Sequence, residues 1–325
     1  MTFDGSKILV MGGMGFIGSN LAIRLVNEGA DVTIVDSMLD EYGANLFNIE
    51  PIKNDVRINF SDMRDSHSLN YLVRGKDYIF NLAGQVSHQD SMTQPFMDME
   101  VNLKAQLTLL EACRYYAPEV VIVYSSTRQI YGRPKYLPVD ENHPLLPPDV
   151  NGINKLAAEY YYSLYTKVYG IKAVSLRLTN TYGPRQLIKN SRQGFIGWFV
   201  NRAITGNTIK LFGTGEQLRD FNYVTDVVDA MCRVAHSPKT YGEVYNLSGE
   251  RASLKHVAEL LINYSGTGSM EVVPFPEDRK KIDIGDFYGT SEKLRRAVDW
   301  QPKVSLSHGL ELMIDYYKRN KKYYL

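Results

Sequence analysis

Gly12, Gly15 and Gly18 stand three residues apart in GGMGFIGSNLAIRLVNEG, a G-x-x-G-x-x-G pattern that opens a helix. Glycines so spaced permit a tight turn, let backbone approach a pyrophosphate and let the helix pack closely on its strand. Backbone N–H groups and the positive helix end then face the phosphates. Asp36 ends the next apolar run, VTIVDSM, eighteen residues after Gly18. A carboxylate there accepts hydrogen bonds from adenosine ribose hydroxyls, and Ser37 and Met38 after it offer no arginine to a 2′-phosphate. The pair predicts a dinucleotide cofactor, NAD rather than NADP. The competing reading is a glycine turn and an acidic strand end in an α/β protein that binds no nucleotide. His88, in AGQVSHQDSM, adds an imidazole just after a strand end, and imidazole is the side chain that titrates near neutrality. A histidine alone in a loop is otherwise a structural or exposed residue.

These residues need strands that end at one crevice. KILVM (7–11) is a short apolar run suited to a buried parallel strand. The alternation continues in VRINFSD to Asp62, DYIFNLAGQ to Gln85 and VVIVYSST to Thr127, each predicted to bring its C-terminal end to the ligand crevice. Phe16, Ile17, Asp62, Met63, Leu82, Ala83, Gly84, Gln85, Asn102 and Ser125 are candidate cofactor contacts. MEVNLKAQLTLLEACRYY, carrying Asn102, has helical periodicity, and NGINKLAAEYYYSLYTKVYG reads as a helix closed by Gly170. Tyrosines 161, 162, 165 and 169 recur on that helix as a packing stripe or a dimer face. The division expected is a nucleotide-binding domain over 1–182 and a substrate lobe over 183–325, with a return to the first around 219–235. A net charge of +1 gives no field that suggests nucleic acid or membrane partners. Two cysteines form neither a disulfide framework nor a metal cluster, and glycines interrupt the N-terminal apolar run, so a cytoplasmic protein without a signal peptide or metal is expected.

GGMGFIGSN, NLAGQ, YSSTRQIYG, LRLTNTYGPRQ and GTGEQLRDFNYVTDVVDA together resemble the extended short-chain dehydrogenase/reductase family of NAD-dependent sugar-nucleotide epimerases and dehydratases. NLAGQV, SST, RQGFIGWF and GTGEQLRD are most like the CDP-tyvelose (CDP-paratose) 2-epimerases, with a more diffuse likeness to UDP-glucose 4-epimerases. The resemblance implies an α/β fold, a Rossmann-type doubly wound parallel sheet with a smaller C-terminal substrate-binding lobe. It also implies a homodimer, a sugar-nucleotide substrate and a transient oxidation in which NAD takes a hydride and returns it.

The family's Ser/Thr, Tyr and Lys triad maps onto Thr127, Asn151 and Lys155. Thr127 would hydrogen-bond the reacting sugar oxygen and Lys155 would hold the nicotinamide ribose. Asn151 is a departure, because an amide does not ionise in this pH range and cannot be a general base. Candidate replacements are His88, Asp90, Tyr182, Lys155 itself, or a water held by Asn151 and Thr127. Two other Y-x-x-x-K matches, Tyr131 to Lys135 and Tyr317 to Lys321, fall in a Gly/Pro-containing segment and a charged tail. Arg128 and Gln129 stand where 4,6-dehydratases place an Asp-Glu pair, which disfavours that reaction. The resemblance further assigns Arg219 and Asn180 to the substrate diphosphate, with Arg279 a weaker candidate or else a surface charge. Arg185 and Gln193 are further substrate-binding candidates, and Phe195, Ile196, Trp198 and Phe199 are available for a substrate wall, the plain alternative being helix core. Three readings stand open: an epimerase at C2 or C4, another dehydratase or reductase on such substrates, or a non-catalytic NAD-bound sensor or scaffold.

Overall fold

The computed structural model describes residues 2–280 and 282–325, without the side chains of residues 278 and 279. The apolar runs become strands β1 (Lys7–Met11), β2 (Asp31–Val35), β3 (Arg57–Asn59), β4 (Tyr78–Asn81), β5 (Val121–Thr127) and β6 (Lys172–Leu178). Between them lie α1 (Phe16–Asn27), α2 (Ser66–Leu72), α3 (His88–Thr93), α4 (Pro95–Met99), α5 (Ala105–Tyr116) and α6 (Val150–Tyr169). A π-type turn, Glu100–Lys104, joins α4 to α5 and carries Asn102. β4 and β5 are buried along nearly their whole length, which is why they read as continuous apolar runs rather than alternating ones.

The remainder of the chain forms β7 (Asn180–Tyr182), α7 (Phe195–Ile204), β8 (Thr208–Phe212), β9 (Leu218–Tyr223) and α8 (Val224–Ala235). It continues through β10 (Val244–Leu247), β11 (Glu250–Ser253), α9 (Leu254–Ser265), β12 (Ser269–Val273), α10 (Glu277–Lys280), α11 (Glu292–Val298) and α12 (Leu306–Asn320). β10 rejoins the main sheet, whose seven parallel strands run β10-β6-β5-β4-β1-β2-β3. That is the doubly wound order with one strand added at the β6 edge.

Two apolar cores cover the two faces of this sheet. Leu21, Leu25, Val227, Met231 and Trp300 fill one, bringing α1 and α8 together. Leu69, Leu109, Cys113, Ala158 and Tyr162 fill the other, under α2, α5 and α6. Tyr162 and Tyr165 of the tyrosine stripe point inward, and the phenol of Tyr162 bonds Asn81 and Gln106. The exposed apolar face of α6 is a different one: Ile153, Tyr160, Leu164 and Val168. A third core (Ile196, Val200, Phe221, Leu261, Leu310, Tyr317) lies among α7, β9, α9 and α12. A small fourth cluster joins Ile130, Tyr131 and Val139 to Ile284 and Phe287. Among the described residues no helix is long and apolar enough to cross a membrane.

Candidate active site

The strand order reverses between β1 and β4, and open α/β sheets take ligands beyond the carboxyl ends of strands at such a point. Gly12 leads out of β1 at φ 74°, where a Cβ would stand 2.9 Å from Ala83 N and from the Leu82 carbonyl carbon. A Cβ on Gly18 would lie 2.1 Å from the Gly12 oxygen, so the turn closes only around glycine. Gly15 starts α1 without a side-chain cap, which leaves first-turn N–H groups for an anion. Phe16 is buried and Ile17 half-buried behind them. The Asp36 carboxylate reaches into the same turn, accepting the Met14 and Met38 N–H groups at 2.9 Å each. Burial raises its pKa despite those two bonds. Amide donors suited to a diphosphate therefore sit beside an acceptor suited to ribose hydroxyls, and the residues fit a dinucleotide.

Across the crevice, β4 runs on into Leu82, Ala83, Gly84 and Gln85. A Cβ on Gly84 would come 2.8 Å from Asn102 Oδ1 and 3.3 Å from Lys155 Nζ, so these three residues converge. Lys155 Nζ donates to the Ser125 carbonyl at 2.9 Å and lies 5.1 Å from the centre of the Tyr124 ring. Burial lowers its pKa to about 8, more than the charges of Asp98 and Glu159 restore. Thr127 closes β5, its hydroxyl accepting the Gln129 N–H at 3.2 Å and keeping its own proton to donate. Asp62 is turned to its own Arg64, whose backbone and guanidinium donate to it; Met63 is buried.

Asn151 lies in the first turn of α6 and is 2% exposed. Its Nδ2 donates to the Gln85 carbonyl at 2.9 Å and to Asp98 Oδ2 at 3.1 Å. Asp98 is fully buried and also accepts from Asn102 at 3.0 Å and Asn154 at 2.8 Å. Both amide hydrogens of Asn151 are therefore spent, and only its Oδ1 is left to offer a substrate or water. Two residues earlier in the same helix entry, Asp149 caps α6 by accepting the Gly152 N–H at 2.7 Å, and its other oxygen accepts Gln129 Nε2 at 2.8 Å. His88 Nδ1 stands 3.0 Å from that second oxygen, at ion-pair distance but off the line of a straight hydrogen bond. Burial pushes the Asp149 carboxyl up, but His88, the Gly152 N–H and Gln129 hold it below the usual value.

Two proposed bases lie elsewhere or are already paired. Asp90 accepts from Tyr42 at 3.2 Å and pairs with Arg192 at 3.0 Å. Tyr182 is fully buried in the third core with its hydroxyl on the Leu306 carbonyl, and burial drives the phenol far up in pKa.

On the substrate side, Arg219 is 7% exposed and donates to the Leu218 and Gly285 carbonyls at 2.8 and 2.6 Å. Arg128 lies 5.1 Å from the Phe287 ring centre in the same corner, with no carboxylate within ion-pair distance among the described residues. Burial and the nearby Arg219 charge lower its pKa to about 10. Asn180 Nδ2 donates to the Asp220 carbonyl at 2.9 Å, and Asp220 Oδ1 is buried without a partner among the described residues. Arg185, a substrate-binding candidate, donates its guanidinium to the Asn48 carbonyl and Asn20 Oδ1 at 2.9 and 3.0 Å. Gln193 likewise clamps backbone, donating to the Tyr42 carbonyl and accepting the Leu187 N–H. Phe195 packs edge-on against Phe199 and Phe221 in the third core, the plainer of its two readings. The Arg279 side chain lies outside the described residues.

Sequence reasoning overlooks Asp98 and Asp149. Asp149 carried a local signal, since an aspartate just before a helical run is a preferred cap; Asp98 stands one helical turn before Asn102. Their partners across the chain carried none.

Residues 8–248 match the profile of the NAD dependent epimerase/dehydratase family. The chain is similar to the CDP-paratose 2-epimerase of Salmonella typhi, 31% identical over 95% of this chain and 98% of that one. It is also 31% identical to the dTDP-D-glucose 4,6-dehydratase of Bos taurus, over 97% of this chain and 89% of that one. Its structure matches the UDP-glucose 4-epimerase of Thermotoga maritima, solved with UDP-glucose, with a TM-score of 0.89, 29% identity and coverage of 97% and 99%. With the glycine turn, Asp36, Thr127 and Lys155 gathered at the switch point, the chain belongs to the NAD dependent epimerase/dehydratase family.

Proposed function

We propose that the protein is a sugar-nucleotide epimerase that inverts C2 or C4 of the sugar through a transient ketone. The observation that carries the choice over dehydration is the corner after Thr127. Arg128 is a guanidinium there, still charged at neutral pH although burial lowers its pKa to about 10, and Gln129 is an amide bound to Asp149. Neither supplies the acid and base that would remove a proton from one sugar carbon and hand one to a hydroxyl leaving its neighbour.

Bound NAD would accept a hydride from the reacting carbon and return it to the opposite face. Gly12, Gly15, Gly18 and Asp36 would hold its diphosphate and adenosine ribose, and Lys155, with Asn102 and Ser125 beside it, its nicotinamide end. Thr127 orients the sugar oxygen. Arg219 draws the nucleotide diphosphate to the far wall, with Asn180 behind it, a suitable task for a planar fork with permanent charge. The exposed apolar face of α6, together with Tyr115 and Tyr116 of α5, supports a homodimer built on these two helices. Incubation with a panel of CDP-, UDP-, GDP- and dTDP-sugars, followed by NMR, tests the reading. An epimer of equal mass supports it; loss of water, or no conversion of any sugar, overturns it.

A further inference from the structure

We propose that His88, backed by Asp149, takes the proton of the reacting sugar hydroxyl, a task for which Asn151 has no chemistry. The assignment rests on the epimerase reading. General-base catalysis contributes about 10²–10⁴-fold, so a working epimerase without the tyrosine needs a substitute close to the same slot. His88 is held there from both sides. It follows Gln85, whose carbonyl binds Asn151, by three residues, and its Nδ1 stands 3.0 Å from the cap residue of the Asn151 helix. Gln129 ties that cap residue to Thr127, donating its side chain to Asp149 and its N–H to the threonine hydroxyl.

The pair has the polarity that the step requires. The Asp149 side chain is 0% exposed, whereas that of His88 is 35% exposed. A slight ring rotation makes Nδ1–H the donor to the carboxylate, which fixes the tautomer and leaves the Nε2 lone pair free. The buried carboxylate then stabilises the imidazolium that forms, without itself taking the proton. Nε2 has no hydrogen-bond partner among the described residues. The other charged groups at this corner are Arg128 beyond Asp149, the Asp90–Arg192 pair with Tyr42 on the α3 side, and Asp98 beneath Asn151. Lys155 is the nearest rival, but its ammonium is tied to the Ser125 carbonyl below the crevice. In the step, the hydroxyl O–H bond breaks toward Nε2, the carbon–hydrogen pair leaves as hydride to the oxidised cofactor, and the C=O bond forms. Both return in reverse order, so no outside oxidant is consumed.

The test compares wild type with His88→Gln and Asp149→Asn as purified holoproteins, with NAD content and circular dichroism as fold controls. The substrate is whichever sugar nucleotide the wild type converts. His88→Gln should lower kcat about 10²–10⁴-fold, leave substrate affinity by calorimetry within about threefold, and abolish the rise of kcat/KM with pH near neutrality. Asp149→Asn, which keeps the helix cap, should lower kcat by a smaller factor. Imidazole added to His88→Gly should restore turnover, a response that a merely structural histidine does not give. Undiminished kcat in His88→Gln, or a pH limb that survives there, overturns the assignment and leaves the epimerase reading intact. A wild type inert toward every sugar nucleotide overturns both.

Discussion

Lys155 should be a burden on the fold until cofactor arrives. Its ammonium is buried against Ser125, Tyr124 and Gly84, and its pKa falls from the ordinary 10.5 to about 8. At 1.36 kcal/mol per pKa unit the gap corresponds to roughly 3 kcal/mol of destabilisation at pH 7. Lys155→Met keeps the volume and removes the charge, but strands the Ser125 carbonyl at a cost of about 1 kcal/mol. Cofactor-free Lys155→Met should therefore be more stable than wild type by about 2 kcal/mol at pH 7, measured by urea unfolding at equal slope. The sign follows from protons: between pH 8 and 10.5 the unfolded lysine is charged while the folded one has become neutral, so wild-type stability rises with pH, the difference closes at about pH 9.5, and by about pH 10.5 the variant is the less stable by about 1 kcal/mol. Saturating NAD should stabilise the wild type more than the variant. A variant less stable at pH 7, or a difference indifferent to pH, refutes the argument.

Glu159 and Arg177 form a buried bidentate pair, 2% and 6% exposed, at 2.8 Å; Arg177→Met should cost about 3–5 kcal/mol in urea unfolding, and Arg177→Met with Glu159→Leu should recover most of it. Arg219→Ala should weaken binding of the free nucleoside diphosphate by one to two decades, from about 1.5–3 kcal/mol for a charged hydrogen bond, while calorimetry finds NAD affinity unchanged. Asn151→Tyr should lower thermal stability by about 1–3 kcal/mol, since a phenol must enter a fully packed site and displace the bonds to Gln85 and Asp98. It should not raise kcat, and a rise above wild type would show that the slot lacked only its phenol.

What the sequence made legible was local. The glycine turn, the acidic end of β2 and the apolar strands declare themselves within a few residues, because a strand buried on both faces has to be apolar throughout. α6 declared its C-terminal end in Gly170, while Asp149, the cap at its other end, was overlooked. β10 did not declare itself: VYNL is short, half polar and preceded by a glycine turn, and only its pairing with β6 makes it a strand. Side-chain commitments were the least visible. Arg185 and Gln193 have the chemistry of ligand-binding residues, yet backbone carbonyls of the 42–48 segment claim them. The His88–Asp149 contact joins residues 61 apart, and no local pattern predicts it.

The cost of the crevice separates a working site from a vestige. Desolvation raises the pKa values of Asp36 and Asp220 and lowers those of Lys155, Arg128 and Arg219. Each of these shifts is a cost that burial sets on the charged form, and such groups persist where a ligand compensates them. Retained NAD accounts for Asp36 and Lys155, as it would in a scaffold that had stopped turning over. It does not account for Arg128 and Arg219, which lie together by the 283–287 segment; among the described residues Asp283, 3.7 Å from Arg219, is the one carboxylate at ion-pair distance, with Asp220, Asp286 and Asp149 farther off. Two buried guanidiniums held mainly by backbone carbonyl and ring contacts would suit a second anionic ligand. On the epimerase reading, a sugar nucleotide would place its diphosphate there and its sugar at Thr127, one residue before Arg128.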